Sequence, residues 1–275
     1  VYNRVTETQD YATLPDEVNI ELDDFHRKVV TESYNRVLCE VTAREIGQVF
    51  GITLDNATNP GTGKPAPNIY LAATSAYGLH IVVPDRDGDG WPERVTTGDP
   101  EAEWMEGLFG TTKDGGPGTI WKIDGVTGEI SKFADITDKG EPNAGAGLGN
   151  LTYDAEHDLI YVSDLDTGDI YRLNMKGEIL DSYDHGVAGR EVEKMPPFED
   201  DPNDRADITS PQFKSDDPTT WGYAQPPRRV WGVKAFGGRL YYAVAEGPEI
   251  WSIALGADGE FDAPRRELAL PTDVE

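Results

Sequence analysis

The sequence has 275 residues, with 24 Lys and Arg against 51 Asp and Glu, for a formal net charge of −27. So acidic a chain has no basic face for a nucleic-acid backbone and is repelled by an anionic membrane. No apolar run approaches the roughly 20 residues of a spanning helix, and Val1 to Asp10 holds no apolar signal core, so no leader is expected within these residues.

The lone cysteine, Cys39, excludes an intrachain disulfide, a Cys-rich zinc site and an iron–sulfur cluster. It is expected to be a small buried apolar residue. Thirty Gly, 19 Pro, 6 Trp and 12 Tyr fit a turn-rich, all-β chain. The acid excess has two compatible readings, a surface adapted to salty water and a protein that binds divalent cations. Both place the chain outside the cytoplasm, in an extracellular or periplasmic setting.

Residues 1–45 read as an N-terminal segment, with extra strands expected around Tyr34 to Thr42. From residue 46 onward one grammar recurs three times: an apolar strand, a turn, a strand with an aromatic near its start, then another Ile-aromatic strand. The first copy runs through Gln48 to Asp55, Ile69 to Thr74 and Ile120 to Asp124. A long insertion at about 76–118 interrupts it.

That insertion holds the strongest motif, Asp85-Arg86-Asp87-Gly88-Asp89-Gly90-Trp91-Pro92-Glu93. Carboxylates at alternate positions can turn inward around one hard cation, and Gly90 permits the sharp turn after the third. Asp85, Asp87 and Asp89 are the expected calcium ligands, with the Trp91 carbonyl and Glu93 next in order. The twelfth position is Thr96, not the Glu of a helix–loop–helix calcium hand, and the flanks read as strands.

The second copy is the cleanest. Leu148 to Asp154, Leu159 to Asp164, Asp169 to Leu173 and Glu178 to Tyr183 form a four-stranded meander with Gly turns. The Asp164 to Asp169 segment is a second, weaker acidic turn. Another insertion, at about 186–229, is rich in Pro and Asp; it is expected to be irregular and ordered by Phe198, Phe213, Trp221 and Tyr223. The third copy follows in Val230 to Phe236, Leu240 to Ala245, Ile250 to Ile253 and about Arg266 to Leu270.

Repeated four-stranded meanders are the blades of a β-propeller. Three blades are fewer than a closed ring holds, so the chain is expected to be part of a longer protein or to be completed by another chain or a second copy. Recurrent Tyr70, Trp121, Tyr161, Tyr171, Trp231, Tyr241 and Trp251 are expected to form the core between blades.

The second copy, Gly149-Asn150-Leu151-Thr152-Tyr153-Asp154 with Ile160-Tyr161-Val162-Ser163-Asp164, resembles a blade of the gluconolactonase and strictosidine-synthase type of six-bladed propeller. The third copy is similar. The resemblance implies an axial divalent metal held by Asn and carboxylate side chains, and Asn150 and Asp164 match that pattern. The family's first-blade Glu has no counterpart in Gln48-Val49-Phe50-Gly51. The 85–93 loop resembles the strand-flanked calcium loops of integrin-type propeller repeats.

The expected fold is therefore an all-β propeller, six-bladed or a portion of one. The first functional expectation is a calcium-stabilised extracellular binding or scaffold module with no catalytic residues of its own. The alternatives are a metal-dependent hydrolase of the lactonase class and an accessory subunit of a larger assembly. Neither Gly-x-Ser-x-Gly nor zinc-type His spacing occurs.

Overall fold

A computed structural model of the protein describes residues 40–110, 115–192, 194, 197, 201, 203–245 and 248–269. The chain divides into two units, 1–40 and 41–275. Cys39, Phe198 and most of the strands expected over 34–42 lie outside the described residues. Glu40 to Thr42 carries no strand, and a short helix α1 (Ala43–Ile46) follows. The N–H and hydroxyl of Thr42 both donate to the Glu45 carboxylate at 2.8 Å. Ile46 is buried with Leu71, Trp121 and Ile123, which ties residues 41–46 to the second unit.

Among the described residues that unit is all-β and antiparallel. Three four-stranded sheets are meanders, and they coincide with the three sequence copies. The first is β1 (Val49–Leu54), β2 (Ile69–Ala73), β6 (Thr119–Ile123) and β7 (Ile130–Asp135). The second is β10 (Leu148–Asp154), β11 (Leu159–Asp164), β12 (Asp169–Asn174) and β13 (Ile179–Asp184). The third is β14 (Val230–Phe236), β15 (Arg239–Val244), β16 (Glu249–Leu255) and β17 (Phe261–Ala269).

The last strand is longer than the expected 266–270. It tolerates Pro264 because it is an edge strand with a single partner, and proline there removes no shared ladder bond. Tight turns join the strands of the second sheet, with Gly168 at φ 77° and Gly177 at φ 81°. A side chain at either position would be strained.

Register makes the three sheets equivalent. Ile52 pairs with Leu71, Leu151 with Val162 and Val233 with Tyr242. A β-bulge precedes each pair, in β1, β10 and β14 alike. Such bulges re-aim a strand at one end while keeping the rest of its ladder.

The sheets stack in chain order with β10 between its neighbours. One face of the second sheet, Leu151, Ile160, Val162, Tyr171 and Leu173, packs on Tyr70, Ala72 and Ile120 of the first. Its other face, Leu159, Tyr161, Ile170 and Tyr183, packs on Val233, Leu240, Tyr242 and Trp251 of the third. Of the aromatics expected between blades, Tyr70, Tyr161, Tyr171 and Trp251 pack between the sheets; Trp121 packs with Ile46 of α1 instead, and Trp231 and Tyr241 are half-buried, Tyr242 taking the core position. The outward face of the first sheet leaves Ile52 at 59% and Leu54 at 52% exposed.

The described residues of the two insertions meet. The first holds a three-stranded sheet with β3 (Ile81–Val83) between β4 (Glu93–Val95) and β5 (Glu103–Trp104). The remaining strands, β8 (Thr137–Asp138) and β9 (Glu141–Pro142), form a small hairpin. The described residues of the second insertion form turns and short helical segments. Thr97 bridges Lys214, Gly98 N–H donates to the Phe213 carbonyl at 2.9 Å and Ser215 N–H to Thr96 at 2.9 Å. Leu79, Ile81, Leu108, Phe109, Phe213 and Trp221 bury a common core with Ala73, Ala146 and Leu165 at the ends of the first two sheets. The two insertions form one cap.

Candidate functional site

The carboxylate loop lies on the hairpin between β3 and β4, where Val83 pairs with Glu93. Its strand flanks are as the sequence suggests. The Asp85 carboxylate accepts Gly88 N–H at 2.6 Å and Gly90 N–H at 2.7 Å, and these bonds hold its pKa below the usual carboxylate range. Asp87 accepts Asp89 N–H at 3.1 Å, and Asp89 accepts Trp91 N–H at 2.9 Å.

The fold brings Asp85, Asp87 and Asp89 together, with one carboxylate oxygen of each within 4.8 Å of the others, all exposed. Glu93 accepts Arg86 N–H at 3.0 Å, and Trp91 is 74% exposed. The Arg86 guanidinium pairs with Asp99 at 2.9 Å and Glu101 at 2.7 Å, fastening the loop to the connection before β5. Hard carboxylate oxygens at this spacing suit a calcium ion.

A second acidic centre is buried. The turn between β11 and β12 places Asp164 and Asp166 out of solvent. Asp164 accepts Asn143 Nδ2 at 2.6 Å, Asp166 N–H at 3.0 Å and the Thr167 hydroxyl at 3.1 Å. Burial first, and then repulsion from Asp166, push its pKa well up. Burial raises Asp166 as well, opposed by Ala144 N–H, Arg205 and Arg229. Asp169 is pushed up to about 7, by burial and then by the Asp184 charge, against the pull of Arg228.

Three arginines from the second insertion close over this turn. Arg205 lies 3.6 Å from Asp166 and 3.4 Å from Asp138. Arg228 donates to the Thr167 carbonyl and pairs with Asp184 at 2.5 Å. Arg229 donates through Nε to the Ala224 carbonyl at 3.1 Å, and burial lowers its pKa. The sequence reading passed over these arginines. The adjacent Arg228-Arg229 pair, just before an apolar strand in an acid-rich chain, was the signal available.

The two residues singled out for an axial metal are otherwise engaged. Asn150 Oδ1 accepts Leu151 N–H at 2.8 Å, and the Asp164 carboxylate is held by the three donors above. Among the described residues, Asp164 joins no group of three His, Cys, Asp or Glu side chains spaced to share an ion. His185 is buried at the start of a π-helical turn (His185–Gly189), its Nδ1 2.8 Å from the Tyr242 hydroxyl. Burial lowers its pKa to about 4.

The cap also encloses a polar cavity of about 710 Å³, lined in part by Asp204, Arg205, Asp207, Tyr223 and Gln225. Among the described residues, no helix is long and apolar enough to cross a membrane.

No protein-family model matches this sequence, and no curated protein sequence matches it. Among solved structures, the chain is similar to a putative 6-phosphogluconolactonase from Bacteroides uniformis at 12% identity and a TM-score of 0.29, over 80% of this chain and 57% of that one. It is also similar to dipeptidyl peptidase 4 from Porphyromonas gingivalis at 11% identity and a TM-score of 0.23, over 83% of this chain and 34% of that one. The chain thus spans less than two thirds of either structure, and likeness at this level assigns neither a family nor an activity.

Proposed function

We propose that the three stacked meanders are consecutive blades of a β-propeller and that the chain is an extracellular or periplasmic binding module. The cap is its recognition surface, and calcium at Asp85, Asp87 and Asp89 stiffens the hairpin at that surface. The Trp91 carbonyl and Glu93 are the further oxygen ligands that the spacing offers.

The observation that carries this reading is the cap itself. Long connections are usually functional or disordered, and these two share a buried core and cross-bridge at Thr97 and Lys214. Three carboxylates gathered without a cation repel one another, which supports a bound ion.

Calcium titrated into the chelator-treated chain by calorimetry is expected to show about one strong site and to raise the melting temperature. Asp87→Asn combined with Asp89→Asn is expected to abolish both effects. Equal calcium binding by that variant overturns the metal assignment.

A second reading, association with another copy or another chain, is favoured by the outward sheet faces. Ile52 and Leu54 on the first sheet occupy the positions that Leu151 and Tyr153 fill in the packed second sheet. Apolar strand positions left in water mark an interaction surface.

A further inference from the structure

The three stacked sheets form an arc. Phe50 on β1 meets Trp231 on β14 edge-on, with ring centroids 5.9 Å apart, although the second sheet packs between the first and the third. Packed sheets lie about 10 Å apart, so a straight stack would hold the first and third about 20 Å apart, too far for two rings to meet. The stack therefore bends, with β1, β10 and β14 on its inner side.

Each end of the arc presents a face whose counterparts are packed inside it. Ile52, Thr53 and Leu54 hold the register positions of Leu151, Thr152 and Tyr153, and of Val233, Lys234 and Ala235. Inside the arc, the second position of one sheet meets the third position of the next: Thr53 accepts Tyr153 N–H, and Thr152 accepts Ala235 N–H. Ile52 and Leu54 are exposed at one end of the arc, and Lys234 and Phe236 at the other.

We propose that a second copy of this chain continues the arc, the third sheet of each copy packing on the first sheet of the other, so that two copies close one ring. Closed propellers hold roughly four to eight blades, and six is the one multiple of the three described sheets in that range. The pair is two-fold symmetric, with Lys234 of each copy beside Leu54 of the other. Ile52 and Leu54 leave water there, as Leu151 and Tyr153 do inside the arc. A lysine ammonium has no acceptor, so this contact lacks the bond that stitches the two inner ones and is the weaker. The proposal names the partner in the association reading and rests on the blade reading.

The test is cross-linking of the full chain in a Cys39→Ala background. Chains carrying Leu54→Cys are mixed with chains carrying Lys234→Cys and treated with a short bismaleimide. The mixture is expected to give a two-chain product, and neither variant alone is expected to give one. Sedimentation of the unmodified chain is expected to show pairs and no larger species. Lys234→Thr, which supplies the missing acceptor, is expected to pair about 5-fold more tightly than the shape-matched Lys234→Val, the effect of one hydrogen bond. A two-chain product from either cysteine variant alone, species of three or more chains, equal pairing by the Thr and Val variants, or a single chain at every concentration overturns the proposal. Phe50→Cys combined with Trp231→Cys reads the bend separately, and the same reagent is expected to link the two within one chain. If that link forms and pairing fails, the blade reading stands without this inference. If the link does not form, the blade reading is overturned and the proposal with it.

Discussion

The hydroxyl of Thr53 accepts a hydrogen bond from the backbone N–H of Tyr153 at 3.0 Å. One sheet further on, Thr152 holds the equivalent position and accepts Ala235 N–H at 3.4 Å. The same side chain thus stitches first to second sheet and second to third. In the third sheet the position is Lys234, which is exposed. Thr152→Val keeps the shape and removes the acceptor. We expect a loss of about 1–2 kcal/mol, read as a lower urea midpoint with an unchanged slope, and a similar or smaller loss for half-buried Thr53→Val.

The pH dependence follows from two groups of opposite sign, half-buried Asp169 and buried His185. Asp169 has a folded pKa of about 7 against an ordinary 3.8, so the native state holds a proton that the unfolded state releases. Its contribution is fully present below about pH 4 and is lost as pH rises to 7. His185 has a folded pKa of about 4 against 6.5, so its contribution is present above 6.5 and is lost as pH falls to 4. Asp164 and Asp166 are raised as well and act in the Asp169 direction. The carboxylates outnumber the histidine. Urea midpoints in chelator are therefore expected to fall between pH 5 and pH 7, and Asp169→Asn is expected to reduce that fall. A midpoint that rises over this interval contradicts the assignment.

Arg228 is 3% exposed and joins three parts of the chain: the insertion, the Thr167 turn and Asp184 at the end of β13. Arg228 is buried but Asp184 is 34% exposed, so water can solvate the carboxylate once the guanidinium is gone, and the loss falls mainly on the bonds Arg228 makes. Arg228→Gln is expected to cost about 1.5–3 kcal/mol and to speed proteolytic cleavage within residues 203–227. Arg228→Gln combined with Asp184→Asn is expected to cost less than the two single changes added together. Additive losses mean that the pair contributes no coupling.

The outward sheet faces predict association. Ile52 on the first sheet and Phe236 on the third, 74% exposed, lie on faces whose counterparts are packed inside the stack. Native mass spectrometry is expected to detect species larger than one chain, and Ile52→Lys is expected to shift the distribution toward the single chain. A single chain at every concentration removes this reading.

Each sheet was legible because its alternation is local: Leu159 to Asp164 and Asp169 to Leu173 announce strands, and Gly168 announces the turn between them. Equivalence among the copies was legible in the recurring aromatics for the same reason. The carboxylate cluster was legible because its three Asp residues sit within five positions, 85 to 89. What the sequence hid is non-local. Arg228 and Thr167 are 61 residues apart, and no spacing rule connects them. The buried setting of Asp164 was equally hidden, because Asn143, one of its three donors, lies 21 residues away. That Phe213 and Trp221 help order the Pro- and Asp-rich insertion could be read from the sequence, but not that the core they join belongs to the other insertion.

The bridge between Thr97 and Lys214 also sets an order of assembly. A ribosome adds about 5–20 residues per second, so roughly 6–23 s separate the synthesis of its two halves. The sheets can form hairpin by hairpin as they emerge, each from adjacent strands. The first insertion forms its own small sheet early, but Leu108 and Phe109 wait for Phe213 to complete their core. The cap therefore stays open to aggregation and proteolysis until residue 214 has been made, and a translational pause before it lengthens that exposure.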